Sequence, residues 1–381
     1  MSRSPLLRCV ASVAVLSLAS TAQQLLSYAP ASGSFVEECL PYGACGTTGV
    51  AVSRSYPGPA LGLGAAMDGA VAVDDHRGII FATSGTGSIT RTRMPRLGCG
   101  SPSPLAALPI PSSIASVRGM AVDPGSPLMF LTDGTTISVV DRIAGMAVLA
   151  SFPSLMPVQI TGLCFDPATP TELLAVSVAG DVVRYQISGG ARLSVTPAPY
   201  ASPGREATGL AIDRSLPIGG TIYVLHASGE IFDHATGAVL RSGVPDRVGL
   251  AFVPSALRLP AGVTCASGTA DPRLATLAVA GSTSFGVDLC GIPAGTSMAL
   301  LLVGIPAVSS PAPLPSGRLW VGASPIAFGL PVPAGATSVH VPLSLGGLTA
   351  GLSFDVQWGL PCSSSVTGIV LTDALQVMVG R

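Results

Sequence analysis

The chain contains no lysine and no asparagine among its 381 residues. Without lysine it cannot carry a Schiff-base lysine, a P-loop lysine or a Ser-x-x-Lys nucleophile. Without asparagine it has no acceptor for N-glycosylation. Aromatic residues make up only 5% of the chain, and this low share disfavours an outer-membrane barrel with its two aromatic girdles.

Long apolar runs are also missing. The longest one beyond the N-terminal region, Met298–Val308, is interrupted by Gly304 and Pro306 and is too short for a membrane helix of about 20 residues. Residues 1–22 have the pattern of a signal peptide, with early arginines, a short apolar run and small residues ending at Ala22. We therefore expect an exported chain, in the periplasm, on the envelope or outside the cell.

Charge is scarce, because charged residues make up 10% of the chain and its net charge is −1. Cleavage after Ala22 would remove the positive charges of Arg3 and Arg8 and take the net charge from −1 to −3. A weakly acidic chain with few cations is a poor match for nucleic acid or an anionic membrane surface. The sequence thus predicts neither a nucleic-acid partner nor a membrane span.

A short pattern recurs along the first two thirds of the chain: small and apolar residues alternate and end in Asp. The copies are Ala70–Asp74, Gly119–Asp123, Gly162–Asp166, Gly209–Asp213 and, without the final Asp, Gly249–Val253. They begin 49, 43, 47 and 40 residues apart, a period typical of one four-stranded propeller blade. The small residues would let neighbouring blades approach closely at the centre of the ring.

The stretch GMAVDPGSPLMFLTDGTTISVVDRIAG, residues 119–145, resembles the repeat of NHL and YVTN-type β-propellers. The resemblance covers roughly residues 66–255 and implies a propeller fold. Members of this family include protein-binding scaffolds, carbohydrate-associated modules and a few lyases or lactonases. Four full copies and a fifth first strand predict five blades, with residues 34–64 completing the last one. Six blades remain the alternative because the N-terminal stretch is poorly patterned.

The repeat stops near Pro260, and the strands that follow have a different pattern. We assign residues 1–22 to the signal peptide, 23–260 to the propeller, 261–270 to a linker, and 271–381 to an antiparallel β-sandwich. The ending GIVLTDALQVMVG resembles the closing strands of sandwich domains in secreted proteins of GC-rich environmental bacteria. The expected fold class is therefore all-β.

Seven cysteines remain after the predicted cleavage. Cys164 stands where other copies of the repeat have alanine, so we expect a buried thiol there. The other six are expected to form disulfides in an exported chain: Cys39, Cys45, Cys99, Cys265, Cys290 and Cys362. We favour Cys290–Cys362 and Cys39–Cys45, which leaves Cys99 and Cys265. Zinc is disfavoured because closely spaced cysteine pairs are missing.

Four aspartates close the first strand of their repeats: Asp74, Asp123, Asp166 and Asp213. On a propeller they would surround one mouth of the channel, where a ring of carboxylates could hold calcium. The simpler interpretation is that each carboxylate caps the turn after its strand. The Asp-Pro steps at residues 123 and 166 favour turn capping.

The fourth copy adds two histidines, His226 and His234, which are expected on neighbouring strands near a turn. Together with acidic neighbours they could act as a general base or as metal ligands. Asp75 and His76 offer a similar pair in the first copy. Neither H-E-x-x-H nor G-x-S-x-G occurs, so surface or turn positions are the simpler interpretation.

Trp320 follows Arg318 and is expected to face outward, where the indole could stack on a sugar. Trp358 alternates with Phe354 and Val356, a pattern that indicates a core position.

We favour an exported, non-catalytic binding or structural protein without a cofactor, whose partner is a protein or a glycan. The alternative is a metal-dependent hydrolase or lyase with its site at one mouth of the channel, using the repeated aspartates and the histidines of the fourth copy.

Overall fold

The computed structural model describes residues 23–29, 34–39, 53–57, 69–74, 77–83, 87–93, 104–166, 169–200, 206–213, 221–241, 245–254, 257–259, 265, 270–276, 278, 280–305, 312–322, 325–348 and 352–379. These residues form strands and turns, and none of them belongs to an α-helix. The described part of the chain thus offers no helix that could span a bilayer. The predicted signal peptide, Asp75, His76, Cys45 and Cys99 lie outside these residues.

The N-terminal half builds one antiparallel sheet after another from short strands. The chain begins with β1 Gln23–Ala29, β2 Ser34–Cys39 and β3 Ser53–Pro57. Sheet II then consists of β4 Ala70–Asp74, β5 Ile79–Thr83, β6 Ser88–Arg93 and β7 Pro104–Pro109. Sheet III consists of β8 Gly119–Val122, β9 Leu128–Thr132, β10 Thr136–Asp141 and β11 Ala147–Pro153.

Two more sheets repeat this plan. Sheet IV consists of β12 Ile160–Phe165, β13 Glu172–Ser177, β14 Val182–Gln186 and β15 Arg192–Thr196. Sheet V consists of β16 Ala207–Ile212, β17 Ile222–His226, β18 Ile231–Asp233 and β19 Val239–Arg241. Each copy of the sequence repeat therefore forms one four-stranded antiparallel sheet, with the small-residue pattern on its first strand.

The next strand, β20 Val248–Pro254, returns to the N-terminus. It pairs antiparallel with β1, so that Leu25 lies opposite Phe252 and Leu26 opposite Ala251. Sheet I therefore has the order β20-β1-β2-β3 and joins two distant parts of the chain. The sequence predicted that N-terminal residues complete the fifth sheet; the contribution begins at Gln23 rather than near residue 34.

The first strands β4, β8, β12, β16 and β20 adjoin one another in a closed cycle. Their small residues permit this approach. A Cβ built on Gly209 would lie only 2.5 Å from the backbone nitrogen of Leu250, and one built on Gly249 only 2.3 Å from that of Val71. Any side chain at these positions would collide with the neighbouring strand, as the repeat predicted.

Apolar side chains fill the spaces between consecutive sheets. Between sheets III and IV, for example, the rings of Phe130 and Phe165 stack with centroids 5.9 Å apart, and Ile137 and Tyr185 are completely buried beside them. Because both faces of the inner strands are covered, these strands read as nearly continuous apolar runs instead of alternating ones.

The C-terminal strands are β21 Leu257–Leu259, β22 Asp271–Leu274, β23 Gly286–Cys290, β24 Met298–Gly304, β25 Ala312–Leu314, β26 Gly317–Leu319, β27 Ile326–Pro331, β28 Ser338–Pro342, β29 Ser353–Pro361 and β30 Ile369–Met378. They form a sheet of order β21-β30-β29-β24-β27, a sheet of order β22-β23-β28 and a β25–β26 hairpin. Both larger sheets contribute to one core around Phe285 and Trp358. β21 precedes the predicted linker but pairs with β30.

A disulfide joins Cys265 to Cys362. The predicted pair Cys290–Cys362 is therefore wrong, and Cys265 is not left over for Cys99. The pairing of β21 with β30 runs toward the turn between β29 and β30 that carries Cys362, and this contact could not be read from spacing alone. Cys290 is also disulfide-bonded, whereas Cys164 is a buried thiol, as the sequence predicted.

Candidate functional site

The cycle of first strands encloses a narrow central cavity of about 20 Å³, enough for roughly one water molecule. Each of the five strands contributes to its wall, and the side chains are apolar apart from one thiol: Val71, Ala72, Val73, Met120, Ala121, Val122, Leu163, Cys164, Phe165, Ile212, Leu250, Ala251 and Phe252. A wall of this composition offers a substrate or a hard cation no oxygen ligands from its side chains.

Asp74 ends β4, and its side chain is completely buried at the boundary between sheets II and III. Its Oδ2 accepts hydrogen bonds from Arg77 Nη1 at 2.9 Å and from Arg142 Nη1 at 2.6 Å. Arg142 comes from sheet III, and its guanidinium also donates to the carbonyl of Ser126 at 2.7 Å. Asp74 therefore forms a buried ion pair that fastens two sheets together.

Asp123 does what turn capping predicted. Its Oδ1 accepts a hydrogen bond from the backbone nitrogen of Gly125 at 2.9 Å, and its Oδ2 accepts one from Ser126 Oγ at 2.5 Å. The same sheet shows a second example after β10, where Asp141 accepts from the backbone of Ile143 and Ala144. These carboxylates are occupied by local backbone and hydroxyl donors.

The two remaining aspartates of the repeat differ in exposure. Asp213 is almost completely buried at the end of β16, and Asp166 is half-buried at the end of β12. The backbone nitrogen of Asp213 donates to the carbonyl of Thr221, and the carbonyl of Asp166 accepts from Thr169. In the ranges that the structure describes, no three His, Cys, Asp or Glu side chains lie close enough together to hold a metal ion.

His226 and His234 lie on the same face of the β17–β18 hairpin but do not stack on each other. Tyr200, from the connection between sheets IV and V, lies between them with its ring centroid 5.5 Å from His226 and 6.4 Å from His234. The Tyr200 ring stacks on Phe232 at 4.2 Å. Together with Asp181 of the β13–β14 turn, these four residues are called the Tyr200 seam below.

Burial dominates the electrostatics of the Tyr200 seam. It lowers the pKa of His234, while a hydrogen bond to the backbone of Gly180 and the charges of Asp181 and Asp233 act in the opposite direction. Burial, helped by the Asp181 carboxylate, raises the pKa of Tyr200. At neutral pH Tyr200 and His234 are therefore both uncharged.

Trp320 follows β26 and is half-buried. Its backbone nitrogen donates to Gln357 Oε1 at 3.1 Å, and Gln357 in turn donates to the carbonyl of Arg318 at 2.8 Å. A buried glutamine thus fixes the backbone at the C-terminal end of β26. Trp358 is completely buried, in agreement with its predicted core position.

Sequence reasoning missed a second polar pair, on the outer face of the three-stranded sheet. His340 Nδ1 lies 2.7 Å from Asp288 Oδ1, and the histidine side chain is 57% exposed. The pair arises because Asp288 on β23 lies opposite His340 on β28. Only the strand register reveals it, since the two residues are more than fifty positions apart in sequence.

No family model matches the chain. No curated protein matches it either. Among solved structures it is similar to Myxococcus xanthus glutaminyl cyclase, with 14% identity and a TM-score of 0.36 over 53% of this chain and 89% of that chain. It is also similar to Chaetomium thermophilum Raptor, with 15% identity and a TM-score of 0.34 over 57% of this chain and 18% of that one.

Proposed function

We propose that this chain is an exported, non-catalytic binding or structural protein of the cell envelope or exterior. It would be a five-bladed propeller of the NHL and YVTN type, followed by an antiparallel β-sandwich. The closed cycle of β4, β8, β12, β16 and β20 supports the propeller. The core shared by the two C-terminal sheets supports the sandwich.

One observation carries the proposal: the centre of the cycle is packed with apolar side chains from all five first strands. An enzyme of the alternative kind needs polar groups that converge on one mouth of the channel. Instead, Asp74 is held by two arginines and Asp123 by its own turn. A partner would therefore bind on the outside of the ring or on the C-terminal sheets.

Export is supported by the signal-peptide pattern of residues 1–22 and by the Cys265–Cys362 disulfide. Disulfides persist in oxidising compartments and are rare in the cytosol.

The test is a thermal-shift series on the exported chain with EDTA, calcium, zinc and a panel of glycans. A ligand at ~100 times its Kd stabilises a fold by roughly 2.7 kcal/mol, which is a readily visible shift. We expect no stabilisation by either metal. A metal shift that Asp123→Ala and Asp213→Ala abolish, and that the control Asp141→Ala retains, would contradict the proposal and favour the metal-dependent enzyme.

The glycan panel of the same thermal-shift series identifies the class of partner. A glycan shift that is lost in Trp320→Ala and kept in Phe328→Ala, an exposed aromatic of β27, would make the protein a carbohydrate-binding module. A shift by no glycan would leave a protein as the partner.

A further inference from the structure

The Tyr200 seam combines features that ordinary packing between sheets does not require. Tyr200 lies just beyond β15, and its ring is stacked on Phe232 with an interplanar angle of 13°. The two histidine rings meet it edge-on at 72° and 84°. Two titratable imidazoles thus flank the aromatic ring that links the connection after sheet IV to the face of sheet V.

His234 is the critical member, because it is only 4% exposed and its Nε2 is buried with no hydrogen-bond partner among the described residues. The imidazole is hydrogen-bonded to the backbone of Gly180. A neutral imidazole fits this environment better than a charged one, since its Nε2 remains an unprotonated and uncharged acceptor. A proton added there would create a buried cation and a buried donor without an acceptor, which is costly.

The charged and titratable groups around His234 are few. Sheet IV presents the carboxylate of Asp181, the hairpin itself presents Asp233, and the connection presents the Tyr200 hydroxyl. His226 lies on the far side of the Tyr200 ring, with its Nε2 3.4 Å from the hydroxyl. Asp181 already accepts a hydrogen bond from the backbone nitrogen of Ala198 at 3.1 Å. The nearby carboxylates therefore oppose, but do not outweigh, the effect of burial.

We propose that the Tyr200 seam is an acid-sensitive latch, in which protonation of His234 at Nε2 releases the Tyr200 segment from the face of sheet V. The proposal is independent of what the protein binds. Sheet V itself would stay intact, because β16, β17, β18 and β19 are held by their own backbone ladder.

The direction of the pH effect follows from linkage. In the released state His234 has an ordinary pKa of about 6.5, and in the closed seam burial lowers this pKa. The closed seam therefore binds fewer protons than the released one. The free-energy advantage of the closed seam over the released state is complete above about pH 6.5. It is lost as the pH falls from there toward the lowered pKa of His234.

Hydrogen exchange of the segment around Tyr200 tests the latch. Pro197 and Pro199 carry no amide hydrogen, so Ala198 and Tyr200 report on the segment directly. We expect their protection, corrected for intrinsic exchange, to fall by up to about 30-fold between pH 7.5 and pH 5, the ceiling for a single released imidazole. His234→Gln, which cannot take up this proton, should remove the pH response.

Two control variants make the outcome decisive. His226→Gln and His340→Gln should both keep the pH response of the unmodified chain. Unchanged protection in the unmodified chain, an equal response in His234→Gln, a loss only in His226→Gln, or exchange rising throughout all sheets at pH 5 would each overturn the proposal. If His234→Gln does not fold, the ring titration of His234 by NMR in the unmodified chain decides: a midpoint at or above pH 6.5 contradicts the latch.

Discussion

The seams between sheets II and III and between sheets IV and V solve the same packing problem with opposite chemistry. The first buries a permanent ion pair, Asp74 with Arg142, whose side chains are 0% and 6% exposed. The second buries aromatic and imidazole rings around Tyr200. The ion pair lies at the end of the first strand β4, whereas the rings lie on the β17–β18 hairpin, so sheets built from one repeat are fastened to each other in different ways.

The two seams differ in the change that would disrupt them. The carboxylate of Asp74 is met by two guanidinium groups, and Arg142 also lies 5.7 Å over the ring of Phe81. Removing Asp74 would leave the buried guanidinium of Arg142 without its carboxylate partner. Tyr200 and His234 carry no charge at neutral pH, so this seam depends on the protonation state of His234 rather than on an ion-pair partner.

The largest effect is expected from breaking the ion pair. Asp74→Ala should lower the free energy of unfolding by about 3–5 kcal/mol, because it leaves Arg142 buried and unpaired. Denaturant titration measures the loss. The matched control Asp123→Ala removes only turn hydrogen bonds and should cost about 1 kcal/mol.

The double variant Asp74→Leu with Arg142→Met sharpens the same comparison. Replacing both members of a buried pair by apolar groups is often nearly neutral, so this protein should be more stable than Asp74→Ala. A double variant that is less stable than either single one would show that the charges themselves hold the sheets together.

An intermediate effect is expected from adding a side chain between the first strands at the centre of the ring. Gly209→Ala places a Cβ 2.5 Å from the backbone of Leu250 and should cost about 1–3 kcal/mol in a thermal or denaturant unfolding experiment. Gly329→Ala in β27 is the control, because nothing lies within 4 Å of the added atom. Equal stability of the two variants would contradict the close packing of first strands.

The smallest effect is expected at the seam between sheets III and IV, a neutral seam of a third kind. There the hydroxyl of Tyr185 donates to the carbonyl of Ser154, and burial raises the pKa of Tyr185 to about 12. Because the folded state holds this proton more tightly, the stability it contributes is complete below pH 10 and is lost as the pH rises toward 12.

Tyr185→Phe should therefore lower the free energy of unfolding by about 1 kcal/mol at neutral pH. Between pH 10 and 12 the stability of this variant should fall less than that of the unmodified chain. Denaturation midpoints across this range provide the measurement. An identical alkaline loss in both proteins would assign the sensitivity to another group.

The sequence predicted the features that repeat locally. Gly209 and its equivalents indicated strands that meet closely, and Asp123 indicated a capped turn. Long-range partners left no local trace: Arg142 stands 68 positions after Asp74, and Tyr200 lies in a connection without any repeat pattern. The pairing of Cys265 with Cys362 likewise depends on the contact between β21 and β30, which no spacing encodes.

The pairing of β1 with β20 has a consequence for how the protein is made. Leu25 lies directly opposite Phe252 in this ladder, yet more than two hundred residues must be synthesised between them. The edge of β1 that pairs with β20 is synthesised early and stays unpaired until β20 has been made. Closing so long a loop is entropically costly and slow, so the open ring is the state in which this chain is most exposed to aggregation and to proteases.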